Sequence, residues 1–226
     1  MTRTGLAWLT VVACAMGCGC SSSPMHTSAS SRPSTQTSER PRLVVVIVID
    51  QLGSWMLERY LPYMAPDGAF KQGIAKGAFH QTVSYLHAGT FTAPGHAATY
   101  SGAPPAHSGV SANIGWDREK GRRIGALNDG RHPWLSDPRY FAAPTALKVQ
   151  TVADVLLQST ANKAKVVSLS YKDYPAVIAG GKKPTLALWF APSGNPPGFT
   201  TSTYYADRLP DWLERWLAHR TPESYM

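Results

Sequence analysis

Residues 43–50, Leu43-Val44-Val45-Val46-Ile47-Val48-Ile49-Asp50, make an apolar run that is β-branched from Val44 onward and closes on a carboxylate. Apolar side chains on both alternating faces suit a strand buried on both sides, the pattern of a parallel sheet covered by helices. Asp50 then falls at the carboxyl end of that strand, where open α/β sheets place their sites and a carboxylate supplies a hard oxygen donor. Further along, Thr90-Phe91-Thr92-Ala93-Pro94-Gly95-His96 sets a hydroxyl just before a Pro-Gly pair able to open a helix. Amide groups at a helix N-terminus suit an anion, and a bound cation lowers the pKa of a hydroxyl. The chemistry indicated is phosphoryl transfer. Thr90 competes as nucleophile, but the Pro-Gly immediately beyond favours Thr92.

The rest of the chain alternates. Ser54 to Met64 reads as a helix interrupted by Pro62, and Ala69 to Lys76 as a second, with Phe70 and Ile74 on one face. Phe79 to Tyr85 reads as a strand. Gly102 to Pro144 is a long Gly-, Pro-, Asp- and Arg-rich stretch with little periodicity, which predicts a functional or disordered loop. Thr151-Val152-Ala153-Asp154 is a capping box; Val155, Leu156 and Ser159 follow at helical spacing, and then the strand Lys165 to Ser170. Leu186 to Phe190 and Thr200 to Tyr205 read as strands around a turn at Pro192 to Pro197. Pro210 starts a short helix on which Trp212 and Trp216 share a face. Strands alternating with helices predict an α/β sandwich with a mostly parallel central sheet.

Composition narrows the possibilities. With 226 residues, 43% of them hydrophobic, the chain has enough apolar material for a core, so disorder throughout is excluded. The net charge of +8 and pI near 9.5 come from scattered cations: Arg40 and Arg42, Arg118 to Arg123, Lys163 to Lys165, Lys182 and Lys183. None forms a stripe with interleaved aromatics, so a solvated basic surface is expected and nucleic acid is not.

Residues 1–20 carry Arg3, the apolar stretch Leu6 to Ala13, and all three cysteines, Cys14, Cys18 and Cys20. The pattern is that of a secretory signal, too short to span a membrane, and it resembles a bacterial lipoprotein leader. Val11-Val12-Ala13-Cys14 and Ala15-Met16-Gly17-Cys18 both offer a lipidation site, and an ordinary cleaved signal is the alternative. Residues 21–41 are mostly Ser, Thr, Pro, Gln and Arg, a composition expected of a disordered tether. The expected product is an exported protein of the periplasm or cell envelope, with a lipid anchor to the membrane, whose folded part occupies residues 42–226.

Five segments in order resemble the alkaline phosphatase superfamily, within it the PafA-like phosphatases and the related nucleotide pyrophosphatase/phosphodiesterases. They are VVVIVIDQ ending at Asp50 and Gln51, TFTAPGHAATYSG around Thr92, PPAHSGV followed by Asn113 and Trp116, SLSYKD ending at Asp173, and ALWF followed by SGN and TSTYY. The resemblance implies that Thr92 attacks phosphorus and becomes a phosphothreonine, that Asp50 and Thr92 share a zinc ion, and that Asn113 donates its amide to a phosphoryl oxygen. Such an alkoxide on Zn²⁺ and such a donor agree with general phosphoryl-transfer chemistry. It also implies that Lys172 meets the phosphoryl oxygens, directly or through water, as in the monoesterase branch. His96 and His107 stand outside this set; a lone histidine among small residues more often satisfies a backbone group.

Two departures qualify the resemblance. The family pattern Lys-x-Arg is here Lys172-Asp173-Tyr174, so a guanidinium fork has become a phenol. Arginine grips a phosphate dianion through two charge-assisted donors and tyrosine offers one neutral donor, so dianionic monoesters lose more than monoanionic diesters. The family's other zinc ligands, two aspartates and three histidines, lie beyond the stretch matched here, whereas a zinc ion normally needs three or four protein ligands. The chain therefore reads as the N-terminal part of a longer two-zinc hydrolase, its sheet incomplete at the C-terminus and its C-terminal half missing, with little turnover by itself. The expected substrate is a small phosphate ester, monoester before diester. A non-catalytic, anion-binding lipoprotein is the reading from another class.

Overall fold

A computed structural model describes residues 41–194 and 197–219, so the leader with Cys14, Cys18 and Cys20 and nearly all of the tether lie outside the described residues. The chain divides into two compact units, residues 1–84 and 85–226. In the first, α1 spans Ser54–Tyr60 and runs into a 3₁₀ turn at Leu61–Tyr63, where Pro62 takes an early position that needs no amide hydrogen. Helix α2 spans Ala69–Lys76 between Gly68 and Gly77, and the Lys71 ammonium donates to the Pro62 carbonyl at 3.3 Å. Both helices lie where the sequence pattern puts them.

The expected strand at Leu43 to Ile49 is not formed. Those residues are exposed, without regular secondary structure, and paired with no strand among the described residues. A strand is defined by its ladder, and a β-branched run without a neighbour does not make one. Asp50 follows in a tight turn closed by Leu52 N–H on Ile49 O at 3.4 Å, with Gln51 at φ 65°. Phe79 to Tyr85 likewise forms no strand.

The second unit holds the core. Helix α3 (Thr92–Ser101) ends on Gly102 at φ 68°, the left-handed position that favours glycine after a helix. Next come the short α4 (Pro105–Ser108) and an antiparallel hairpin of β1 (Ile114–Asp117) and β2 (Arg122–Gly125), with Trp116 opposite Arg123. The stretch Gly102 to Pro144 is thus not a structureless loop; its glycines and aspartates serve a helix cap and the hairpin turn, where Glu119 and Lys120 amides donate to Asp117 Oδ1. Helix α5 (Val152–Ser159) opens on the capping box: Asp154 N–H donates to Thr151 Oγ1 and Thr151 N–H to Asp154 Oδ2.

Strand β3 (Val167–Ser170), helix α6 (Asp173–Gly180) and strand β4 (Leu186–Ala191) form a βαβ unit with the two strands parallel, and β5 (Gly198–Thr200) adds antiparallel to β4. The last strand lies earlier than expected: β5 ends at Thr200, the first residue of the strand expected to run to Tyr205, and residues 203–205 form a turn. Helix α7 (Asp211–His219) follows Pro210; Leu213 is its buried residue, while Trp212 and Trp216 face outward, Trp216 reaching Phe199 with ring centres 6.3 Å apart.

Helix α3 presents Ala93 and Ala97, both fully buried, to α6, whose Ala176, Val177 and Ile178 are equally buried. Small residues on one helix let the two axes approach closely and hold them in a fixed relation. Trp189 in the central strand β4 fills the layer beneath, edge-on to Trp134 at 5.6 Å. The Ser168 hydroxyl on β3 donates to the Ala176 carbonyl at 2.6 Å, pinning α6 to the sheet.

Candidate active site

Thr92 is the first residue of α3, half-buried, and Phe91 takes the N-cap position in extended conformation. Thr92 is therefore not a cap, and its side chain stands in the first turn. The next residue gives the site its geometry: Ala93 N–H donates to Asn113 Oδ1 at 2.7 Å. That bond fixes the orientation of the carboxamide, because only its oxygen can accept from an amide hydrogen, and the Asn113 NH₂ remains as a donor beside the start of α3. It also satisfies one of the amide groups that a helix N-terminus leaves without an intrahelical partner.

Asn113 is itself held at its main chain. Its carbonyl accepts from Ala126 N–H at 2.9 Å and from the Tyr174 hydroxyl at 2.8 Å. Tyr174 belongs to the first turn of α6, next to Asp173, and burial followed by the neighbouring Asp173 charge pushes its phenol above the ordinary value. The phenol thus stays protonated and donates at neutral pH. Asp173 is also raised, by burial, against the opposing Tyr174 N–H at 2.8 Å and the Lys172 charge. Tyr174 and Asp173 line a cavity of about 150 Å³ with Gly125, Asn128 and Arg139.

Ala93, Asn113 and Tyr174 are thus joined through two hydrogen bonds of the second unit, with Thr92 one residue before Ala93. Lys172 is the N-cap residue of α6, two positions before Tyr174; its backbone amide donates to Ser170 Oγ at 3.3 Å and its side chain is exposed. Asp50 belongs to the first unit, in the turn after the apolar run. His96 Nδ1 lies 2.8 Å from the Thr92 carbonyl, one turn back on α3, and so satisfies a backbone group as its surroundings suggest. What the sequence does not disclose is the Tyr174 contact, for its partner lies 61 residues away and no local pattern links them.

Zinc has two candidate ligands here, Asp50 and Thr92. Asp50 belongs to the first unit and Thr92 to the second, and among the described residues no three His, Cys, Asp or Glu side chains gather as a metal site requires.

The family described as type I phosphodiesterase / nucleotide pyrophosphatase matches residues 44–223. The chain belongs to that family. It is 33% identical over 192 residues to the alkaline phosphatase PhoV of Synechococcus elongatus, covering 84% of this chain and 34% of the relative. With the alkaline phosphatase PafA of Elizabethkingia meningoseptica it shares 32% over 182 residues, covering 79% and 33%. A crystal structure of a mutant of alkaline phosphatase PafA superposes with a TM-score of 0.72 at 28% identity, over 79% of this chain and 34% of that one. The α/β fold is therefore that of the alkaline phosphatase superfamily, and the chain spans about a third of the length of these relatives.

Proposed function

We propose that the chain carries the nucleophile part of a zinc-dependent phosphoric ester hydrolase that works through a phosphothreonine at Thr92, with monoesters as its first substrates. The observation that supports this is the 2.7 Å bond between Ala93 N–H and Asn113 Oδ1, which brings the Asn113 carboxamide to the first turn of α3, one residue beyond Thr92. In the reaction Thr92 Oγ1 forms a bond to phosphorus while the ester P–O bond breaks, and the departing oxygen takes up a proton. Water then cleaves the phosphothreonine and releases phosphate. Asn113 meets a phosphoryl oxygen whose charge grows as the bonds exchange, the place where a fixed donor acts most strongly. Lys172 adds a cation at the start of α6.

Zinc would supply charge neutralisation and a lowered Thr92 pKa; Asp50 and Thr92 are the donors this chain contributes, and a two-zinc centre needs more. Turnover by the 226 residues alone is accordingly expected to be small. Tyr174 in the place of an arginine favours a second reading, a phosphodiesterase, because the guanidinium that would grip a dianion is lost. The leader adds export to the periplasm or cell envelope, with a lipidated cysteine as anchor.

The test is to incubate the protein with zinc and p-nitrophenyl phosphate or its bis-ester and to search for phosphate on Thr92 by mass spectrometry. A label that Thr92→Ala abolishes, formed faster from the monoester, is the expected result; faster labelling by the bis-ester selects the diesterase. Phosphate binding with no label under any zinc loading would leave a non-catalytic, anion-binding protein.

A further inference from the structure

We propose that Tyr174 is a positioning residue: through the main-chain carbonyl of Asn113 its hydroxyl sets where the Asn113 carboxamide stands relative to Thr92. The inference rests on the reading of Asn113 as the donor to a phosphoryl oxygen.

Tyr174 and Thr92 are carried by α6 and α3, which pack against each other through the fully buried Ala93, Ala97, Ala176 and Val177. Asn113 is mounted differently. It precedes the exposed hairpin β1–β2 and is attached to the core by three bonds: Oδ1 to Ala93, and the carbonyl to Ala126 and Tyr174. Ala126 follows the same hairpin and packs against the core next to the buried Leu127, so that bond ties Asn113 to the base of its own hairpin. The Tyr174 hydroxyl is the one of the three that ties the Asn113 main chain to the helix pair bearing the nucleophile. With it, both ends of the residue are referenced to α3 and α6; without it, the side-chain bond to Ala93 is the one that remains to those helices.

The surroundings leave space for this contact. A Cβ on Gly125 would stand 3.3 Å from the Tyr174 hydroxyl, closer than ordinary packing, so β2 passes the phenol at the one residue type that leaves the hydroxyl undisturbed. An arginine replaced by tyrosine has thus not left an empty position. A guanidinium that would grip the substrate is exchanged for a neutral group that grips the substrate's donor, and electrostatic attraction is traded for preorganisation.

Inorganic phosphate is the probe, titrated into the 226-residue protein and followed by ³¹P line broadening, with the Ala93 amide proton shift read in the same ¹⁵N-labelled samples. Wild type is expected to bind, and Asn113→Ala to lose binding. Tyr174→Phe removes only the hydroxyl; Gly125→Ala keeps it and displaces it by a few tenths of an ångström. Both are expected to weaken phosphate about 3–10-fold, the range of one hydrogen bond, and to move the Ala93 amide signal, while melting stays cooperative. If Tyr174→Phe does not fold, Gly125→Ala decides. Wild-type affinity in both variants, with or without a change at Ala93, overturns the proposal and leaves Asn113 as the donor. Equal behaviour of wild type and Asn113→Ala removes the reading of Asn113 itself.

Discussion

Two stretches of this chain make the same statement in sequence and meet different fates. Leu186–Ala191 and Leu43 to Ile49 are both continuous apolar runs of strand-forming residues. The first becomes β4, paired on both sides by β3 and β5, with Trp189 fully buried. The second stays exposed and without a ladder, Ile47 at 60%. Composition and alternation report how a strand would bury its side chains, but its backbone groups need partners, and those come from elsewhere in the chain. For β4 they are supplied nearby, by a βαβ crossover and a short return.

The largest effect is expected where that pairing is complete. Trp189→Ala removes the largest fully buried side chain, from the middle of the central strand, and should destabilise the protein by about 3–5 kcal/mol in denaturant unfolding. A loss under about 1 kcal/mol would mean that β4 is no better packed than residues 43–49. Next comes the link that brings β4 back beside β3. Gly181 closes α6 at φ 70°, and a Cβ there would lie 2.5 Å from Thr151 Oγ1 and 2.6 Å from Asp154 Oδ1, against the capping box of α5. Gly181→Ala combines an unfavourable backbone conformation with a collision and is expected to cost more than about 2 kcal/mol. A melting point equal to wild type would show that the crossover does not depend on that turn.

The same contrast divides what is legible in the sequence from what is not. Helices α1, α2 and α5 are legible because their signals are local: Pro62, the glycines around α2, and Thr151 with Asp154 three residues on. The runs Phe79 to Tyr85 and Thr200 to Tyr205 carry a strand pattern that folding does not honour in full, since alternation alone does not furnish a neighbour. The hairpin β1–β2 escapes a reading by pattern because its turn, Arg118 to Gly121, carries charges in place of strong turn dipeptides, and its strands are four residues each and largely exposed. At the site, Thr92 and Asn113 stand out by their segments, and the structure joins their neighbourhoods by one bond, Ala93 to Asn113. Tyr174 is legible as a lost guanidinium but not as the holder of Asn113, a contact that exists only once α6 and the hairpin meet.

A smaller effect is expected at the entry to α6. Burial raises the Asp173 carboxyl above the ordinary aspartate value of about 3.9. A folded-state pKa above the unfolded one means that the native state binds the proton more tightly, so stability is greatest at low pH and falls as pH rises from the unfolded value through the folded one. Above that window the buried charge opposes folding in full. Asp173→Asn should therefore raise the melting point at about pH 7 and flatten its fall above about pH 4, measured by thermal unfolding across that range. A lower melting point for Asp173→Asn at neutral pH would show that the carboxylate is held by favourable partners, so that the βαβ unit tolerates a buried charge that its packing argues against.

The smallest effect belongs to the run that makes no ladder. Ile47→Ser exchanges an exposed apolar side chain for a polar one in a stretch with no strand partner among the described residues. Its unfolding free energy should lie within about 0.5 kcal/mol of wild type, as surface substitutions usually do. Its solubility should rise, because an exposed, uncharged heptad of mostly β-branched residues is the kind of segment that pairs with copies of itself. The two measurements together carry the comparison: stability unchanged and aggregation reduced is the signature of a strand sequence still open to pairing. A loss approaching that of Trp189→Ala would place residues 43–49 in a ladder in solution, and Asp50 would then stand at the end of a strand, the position its sequence first suggested.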